Sequence, residues 1–443
     1  MSSCRSTTTL RGVATDLIEA SERQTTRVVV AGGGVAALEA VLALRALSAT
    51  HFEIDLVSPN AEFHGRPLSV AEPFGLVEHR HLSLHDFARE HSARFHHTAI
   101  ASVDARRRVV TTTQHQTIGY DALLLATGAV ARPALSGALT FRGPEDVPAF
   151  TELLGEIESG AIGSIAFAVP RRARWSLPLY ELALMTAARA SAHHIPLSLE
   201  LLTHESEPLS AFGSRTSKRV RQLLRSAGIR LRTSVDPIVA QPGRVFLAHG
   251  AAVAADRTVA VARLVAPAIQ GIPHGPGGFI ATDPYGRVEG ARHIYAAGDT
   301  TWFPVKQGGI AAQQADAAAL AIAADSGLPV VPKAFEPVLR GILLTGGAPE
   351  QLGPGPHWHA RGKIAGRYLG PYLAGDARDP AAPADHEATI ELALQAADAA
   401  AGWSDPKDAL RWLDVAEGLN VALPMEYADK RREWTRLMKE ATL

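Results

Sequence analysis

The sequence predicts an α/β protein made of two Rossmann-like three-layer domains followed by a C-terminal α+β region. Three observations predict it. A β-branched run passes through a glycine turn into an Ala/Leu-rich helix at 27-RVVVAGGGVAALEAVLALRAL-47. The order of strand, helix and strand returns over residues 164–205 without any repeat of the sequence itself. Small-residue turns close two further apolar strands, 120-YDALLLATGA-129 and 294-IYAAGD-299. At 443 residues the chain also exceeds what one hydrophobic core usually serves.

Taken in order, residues 1–25 are polar, lack the apolar centre of a secretory signal, and read as a flexible N-terminal segment. The run 27–31 suits an interior parallel strand, and helical periodicity takes over directly after the glycines. Strand 53-EIDLVS-58 completes a βαβ unit of about 30 residues. The following loop, 59-PNAEFHGRPLSVAEPFG-75, is too long for a simple connection, and long ordered loops are usually functional. In the second half come strand 164-SIAFAVP-170, a helix over 177–192, strand 197-LSLELLTHE-205, a helix over 214–227 ended by Gly228, and strand 229-IRLRTS-234. A β-rich tract leads to 294-IYAAGDTTW-302 and the Ala-rich helix 310–324.

Past residue 335 the texture changes. Residues 340-RGILLTGGAP-349 read as strand and turn, 353-GPGPHW-358 as an irregular loop, and 386–401 and 406–419 as two short helices. Asp405 would cap the last, with Pro406 at its first position. Acidic residues punctuate the apolar faces of these helices, so they suit a core or a dimer partner better than a membrane.

The composition excludes several classes. A hydrophobic content of 47% and a charged content of 20% describe an ordinary globular protein rather than a disordered or fibrous one. A net charge of -1 implies no global attraction to nucleic acid or to an anionic membrane. The lone cysteine, Cys4, excludes an internal disulfide and a CxxC redox pair. It points to a reducing, cytoplasmic setting. No stretch of about 20 apolar residues occurs, so the expectation is a cytoplasmic protein, with peripheral contact at the inner membrane face still open.

Gly32, Gly34 and Ala37 stand in GxGxxA spacing between strand and helix. The first glycine permits a tight turn, the second lets a pyrophosphate approach the backbone, and a small third residue packs the helix against the strand. The helix N-terminus then offers free N–H groups to phosphate. An acidic residue usually follows at the end of the second strand to hold a ribose hydroxyl. Here that position is Ser58, which either makes that hydrogen bond or simply starts the Ser-Pro turn.

The segments 120-YDALLLATGA-129 and 294-IYAAGD-299 resemble the paired ATG and GD segments of the FAD-dependent pyridine nucleotide-disulfide oxidoreductases, the two-dinucleotide-binding-domain flavoproteins. With 58-SPNAEFHGRPLSVAEPF-74, 177-LPLYELALM-185 and 306-KQGGIAAQQA-315, the likeness extends to the branch of sulfide:quinone oxidoreductase, flavocytochrome c sulfide dehydrogenase and type II NADH dehydrogenase, over roughly residues 27–372. The resemblance implies FAD, with Ala126, Thr127 and Gly128 near its pyrophosphate and Gly298 and Asp299 at its ribityl chain. It implies Arg66 and Pro67 near the flavin, and Gly309 and Ile310 as backbone donors to the pyrimidine edge, where charge accumulates on reduction. It further implies an FAD-binding domain in two parts, 26–150 and 276–335, around a second nucleotide-binding-like domain, 151–275, with 336–443 as the C-terminal region.

Lys306 is either a charge at the flavin or substrate, or a solvated lysine before a helix. His64 is a candidate proton carrier because its unperturbed pKa lies near neutrality, or an ordinary surface histidine. Gln313 and Gln314 read as residues of an exposed helix face.

Two chemistries of the branch fail on residue type. Where sulfide-oxidising relatives carry a cysteine, this chain has Trp175, and 342-ILLTGGAP-349 has none either. Where NADH-using relatives carry a second glycine turn, it has 170-PRRARWS-176, so NAD(P)H is doubtful. Arg171, Arg172 and Arg174 either bind a phosphorylated ligand or are solvated on a loop, and Glu205 occupies the place of a ribose-binding acid. Trp175 and Tyr180 line a planar substrate's path or pack the loop. The expected function is therefore an FAD-dependent oxidoreductase passing electrons between an unidentified donor and a quinone-like or protein carrier, without redox cysteines. The competing expectations are an NAD(P)H:quinone reductase with an atypical nucleotide site, and a non-catalytic flavin-binding scaffold.

Overall fold

The computed structural model describes residues 25–76, 82–353, 366–374, 424–440 and isolated positions between 394 and 414. The N-terminal segment with Cys4, most of the loop 353–358, and the two terminal helices with the Asp405 cap lie outside the described residues. Of those helices only isolated positions are described; among them Ala397, Ala409 and Leu413 are helical and fully buried.

Two parallel sheets organise the chain. The first has the spatial order Ile294–Ala296, Ala122–Leu125, Thr26–Ala31, Phe52–Ser58, Ala93–His97, all paired in parallel. Its central strand is buried on both sides, which is why it reads as an unbroken apolar run. Val28 and Val30 face the helices Val35–Leu47 and Gly308–Asp325, while Val29 and Ala31 face a small antiparallel sheet containing Val103, Val110 and Ile118. Alternate residues thus feed two cores, as the period of two requires.

The second sheet repeats the plan. Its strands Arg257–Val265, Ser164–Val169, Ser198–Thr203 and Ile229–Arg232 run parallel. Ile165, Phe167 and Val169 pack towards the helices Val147–Glu158 and Leu177–Ala192, whereas Ala166 and Ala168 face a second antiparallel sheet through Val245 and Val253. Val130–Pro133 and Leu139–Phe141 also pair with Arg257–Val265, so the chain enters the second sheet immediately after the ATG segment. Both halves are therefore three-layer α/β units, as the alternating strand and helix pattern predicts.

The C-terminal stretch braces the halves. Gln313, on the Gly308–Asp325 helix, accepts from the Val338 N–H at 2.8 Å and donates to its carbonyl at 2.9 Å. Gln307 donates to the Arg340 carbonyl at 3.1 Å. On the other side the buried Glu181, from the Leu177–Ala192 helix, accepts from the Leu344 N–H at 2.9 Å. A Cβ on Gly341 would lie 2.9 Å from the Phe212 ring, so strand Gly341–Leu343 rests directly on the second core. A helix not foreseen from the sequence, Met425–Glu440, buries Tyr427 and Trp434 against that core. No helix among the described residues is long and apolar enough to cross a membrane.

Candidate functional site

The glycine turn is built for close approach. Gly32 adopts φ +139°, and a Cβ there would lie 2.1 Å from the Ala126 carbonyl oxygen, so only glycine fits. Gly34 precedes the Val35–Leu47 helix without any side-chain cap, and a Cβ there would meet nothing within 4 Å. This is open space in front of uncapped helix N–H groups, the setting a pyrophosphate requires. Ala37 is fully buried in the helix packing, as its small size anticipates. Ser58 is also fully buried; its Oγ accepts from the Asn60 N–H at 3.1 Å and lies where a Cβ on Gly33 would be only 2.5 Å away. Its hydroxyl thus forms the Ser-Pro turn.

The three motifs meet at the C-terminal ends of three adjacent strands of the first sheet. The Ala126 N–H bonds the Ala31 carbonyl at 2.7 Å, and the Thr127 hydroxyl donates to Thr300 Oγ1 at 3.2 Å. Gly298 has φ +81°, and a Cβ there would lie 2.9 Å from Ala36 and 3.4 Å from Ala311. The starts of the two long helices therefore flank the glycine–aspartate turn. Gly128, at φ +68°, has open space beside it.

Asp299, Lys306 and Arg66 form the charged centre. Asp299 is closely surrounded by protein yet keeps partial solvent access, as a group lining a cleft does. Burial pushes its carboxyl above the ordinary range, while the positive charges of Lys306 and Arg66 pull it back. Lys306 is only 3% exposed. Its ammonium donates to the Thr301 carbonyl and stands 4.3 Å from the Phe279 ring centroid. Burial brings the Lys306 pKa down to about 7, opposed by Asp299 and assisted by Arg174. The solvated-lysine reading is thereby removed. Arg66 is exposed and Pro67 half-buried at the start of the 3-10 helix Arg66–Phe74. His64 is exposed just before them.

Two expectations change at the Gly308–Asp325 helix. The Ile310 N–H, foreseen as a flavin donor, is taken by Gln307 Oε1 at 2.9 Å, because Gln307 caps the helix with its side chain. Gly309 stands in the first turn of this capped helix and is buried. Gln313 and Gln314 are not exposed-face residues. Gln314 is 6% exposed and accepts from the Gly298 N–H at 2.8 Å, so it fixes the glycine–aspartate turn. Glutamine on an Ala-rich helix carries no local signal of such a role, beyond the excess of polar groups on an otherwise apolar helix.

The chain belongs to the pyridine nucleotide-disulphide oxidoreductase family. The family profile matches residues 26–159 and 180–321, well over half of the sequence. It is thus an FAD-dependent oxidoreductase. No curated protein sequence matches the chain. Among solved structures, the fold is similar to the sulfide:quinone oxidoreductase of the hyperthermophilic bacterium Aquifex aeolicus, at TM-score 0.67 and 20% identity, covering 73% of this chain and 82% of that one. A ferredoxin reductase from Rhodopseudomonas palustris gives TM-score 0.57 at 18% identity, over 74% and 82%. NDH2 from Plasmodium falciparum gives 0.52 at 14%, over 62% and 64%.

The family match breaks across residues 160–179. This oxidoreductase has there a turn made without glycine, in which the Ala173 N–H bonds the Pro170 carbonyl at 2.9 Å. Trp175 packs on Phe212 with ring centroids 5.8 Å apart, and Tyr180 is fully buried. Tyr180 is thus a packing residue. Glu205 accepts hydroxyl hydrogens from Ser176 at 3.0 Å, Tyr180 at 2.7 Å and Thr203 at 2.8 Å. Beyond the C-terminal ends of the second sheet's strands lies a cavity of about 690 Å³. Arg171, Arg172, Arg174, Arg263, Glu205 and Phe279 contribute to its wall.

Proposed function

We propose that this flavoenzyme passes electrons between a small-molecule donor and a quinone-like or protein acceptor with no thiol relay. The observation that carries the reading is Lys306: a buried ammonium, poised near neutrality, beside Asp299 and at the foot of the Gly308–Asp325 helix. Bound FAD supplies a ring that accepts a hydride or single electrons and gathers negative charge on reduction. In this reading the turn of Gly32 and Gly34 receives the pyrophosphate, with Ala126, Thr127 and Gly128 alongside, and Asp299 accepts from a hydroxyl of the sugar-alcohol chain. Lys306 holds a proton and a positive charge where electron density arrives. Thr301 and Phe279 keep that charge oriented, since a buried lysine without partners would simply neutralise.

The sole cysteine, Cys4, has no second thiol to pair with, and Trp175 stands where the resemblance places a thiol of the sulfide-oxidising relatives. Both support transfer directly through the flavin. Anaerobic absorbance near 450 nm tests the reading. Sulfide should leave the flavin oxidised, and flavin reduced by light should be reoxidised by a quinone or a ferredoxin-type carrier. If no such acceptor restores the oxidised spectrum, the reading fails. Rapid bleaching by NADH or NADPH would replace it with a nicotinamide-dependent quinone reductase.

A further inference from the structure

The cavity beyond the second sheet is unlike a dinucleotide groove in its polar equipment. Among its charged side chains, four arginines, Arg171, Arg172, Arg174 and Arg263, face one carboxylate, Glu205, in a protein whose net charge is only -1. Such a local excess concentrates anions. Arg171 is held by Asp236, its N–H at 3.0 Å and its guanidinium at 3.4 Å. The side chains of Arg172 and Arg263 make no hydrogen bond or salt bridge among the described residues. Each presents a planar fork of donors suited to phosphate or carboxylate.

Features that would grip a nucleotide are missing or already used. No glycine lets the backbone between Val169 and Leu177 come close to a pyrophosphate. Glu205, placed where a ribose-binding acid belongs, already accepts three hydroxyl hydrogens, out of about four acceptor positions on a carboxylate. Ser176, which lines the cavity ahead of the Leu177–Ala192 helix, has its hydroxyl spent on Glu205.

We propose that this cavity binds a compact polyanion, a small molecule carrying phosphate or clustered carboxylates, in place of a dinucleotide. The site touches the redox centre through Phe279. Its ring lines the cavity and carries the Arg174 guanidinium at 4.9 Å and the Lys306 ammonium at 4.3 Å. An anion paired with Arg174 removes a repulsion felt by Lys306, so the flavin reports that the cavity is filled. Binding itself does not depend on the electron-transfer reading above; only this second readout does.

The test uses the FAD-loaded full chain, titrated with inorganic pyrophosphate, citrate, NADH and NADPH while tryptophan fluorescence is followed. Trp175 lines the wall and responds whether or not flavin is reducible. Pyrophosphate or citrate should bind saturably and perturb the flavin absorbance, and the tighter of the two identifies phosphate or carboxylate as the recognised group. Arg172→Ala with Arg263→Ala should weaken that binding at least tenfold with FAD content unchanged. The single reversal Arg172→Glu, at an exposed position, should do the same if the double variant fails to fold. Three results overturn the proposal: no saturable binding of either small anion, binding indifferent to the arginines, or NADH or NADPH binding more tightly than both.

Discussion

The two halves of the molecule place a loop at the same topological position and build it from opposite materials. In the first half three glycines join strand to helix, and at Gly34 bare backbone borders open space. In the second half residues 170–176 do so, and arginine side chains stand in front of the helix. Sheet order, strand burial and helix placement are alike in the two halves. With the fold alike, the handful of residues after the first strand is where the two halves differ chemically, and the proposed ligands of the two halves rest on that difference.

Substitutions that exchange these materials test the comparison, and the largest effect belongs to Gly32. Gly32→Val places a side chain against the Ala126 carbonyl at a φ that disfavours it. We expect at least ~3 kcal/mol of lost stability in urea unfolding. An unchanged midpoint would show that the turn relaxes and that glycine was not demanded there. Gly34→Val is the sharper probe, because its side chain has room in the protein but would enter the space proposed for the pyrophosphate. Stability should fall by only about 1 kcal/mol, while FAD affinity falls about 100-fold or more, close to 3 kcal/mol. Equal losses in both would break the distinction between the two glycines.

The next effect is one of pH. Below pH 7 Lys306 is charged in the folded and unfolded chain alike, so its burial penalty is complete. As pH rises through about 7 the folded chain releases the proton, while the unfolded chain retains it up to its ordinary value of 10.5. Stability of the FAD-free protein should rise across that window, and Lys306→Met should flatten the rise. Parallel pH curves for the two proteins would contradict the burial of the ammonium. The smallest effect is expected from Ala173→Gly in the second loop. It should cost up to about 1 kcal/mol and give no bleaching of the flavin by NADH. A gain of NADH reduction would mean that glycine alone converts one loop into the other.

Much of this contrast was legible before any coordinates. The glycine spacing, the ATG and GD segments and the missing second glycine turn are local patterns, and each has a local physical cause. What escaped were pairings between distant parts of the chain. Gln314 reaches back to Gly298 and Gln313 forward to Val338, and nothing in AAQQA announces either partner. Ile310 looked like a free donor because the residue capping it, Gln307, works through a side chain whose direction the sequence does not reveal. The entry of Val130–Pro133 into the second sheet escaped for the same reason: pairing with Arg257–Val265 spans more than a hundred residues.

The brace formed by residues 338–344 carries a mechanical consequence. It is gripped by glutamines from one half and by Glu181 from the other, so it acts as a strut that ties the two packed cores together. Each half keeps its own packed core. Loosening the strut should therefore let the two cores shift against one another while each stays folded.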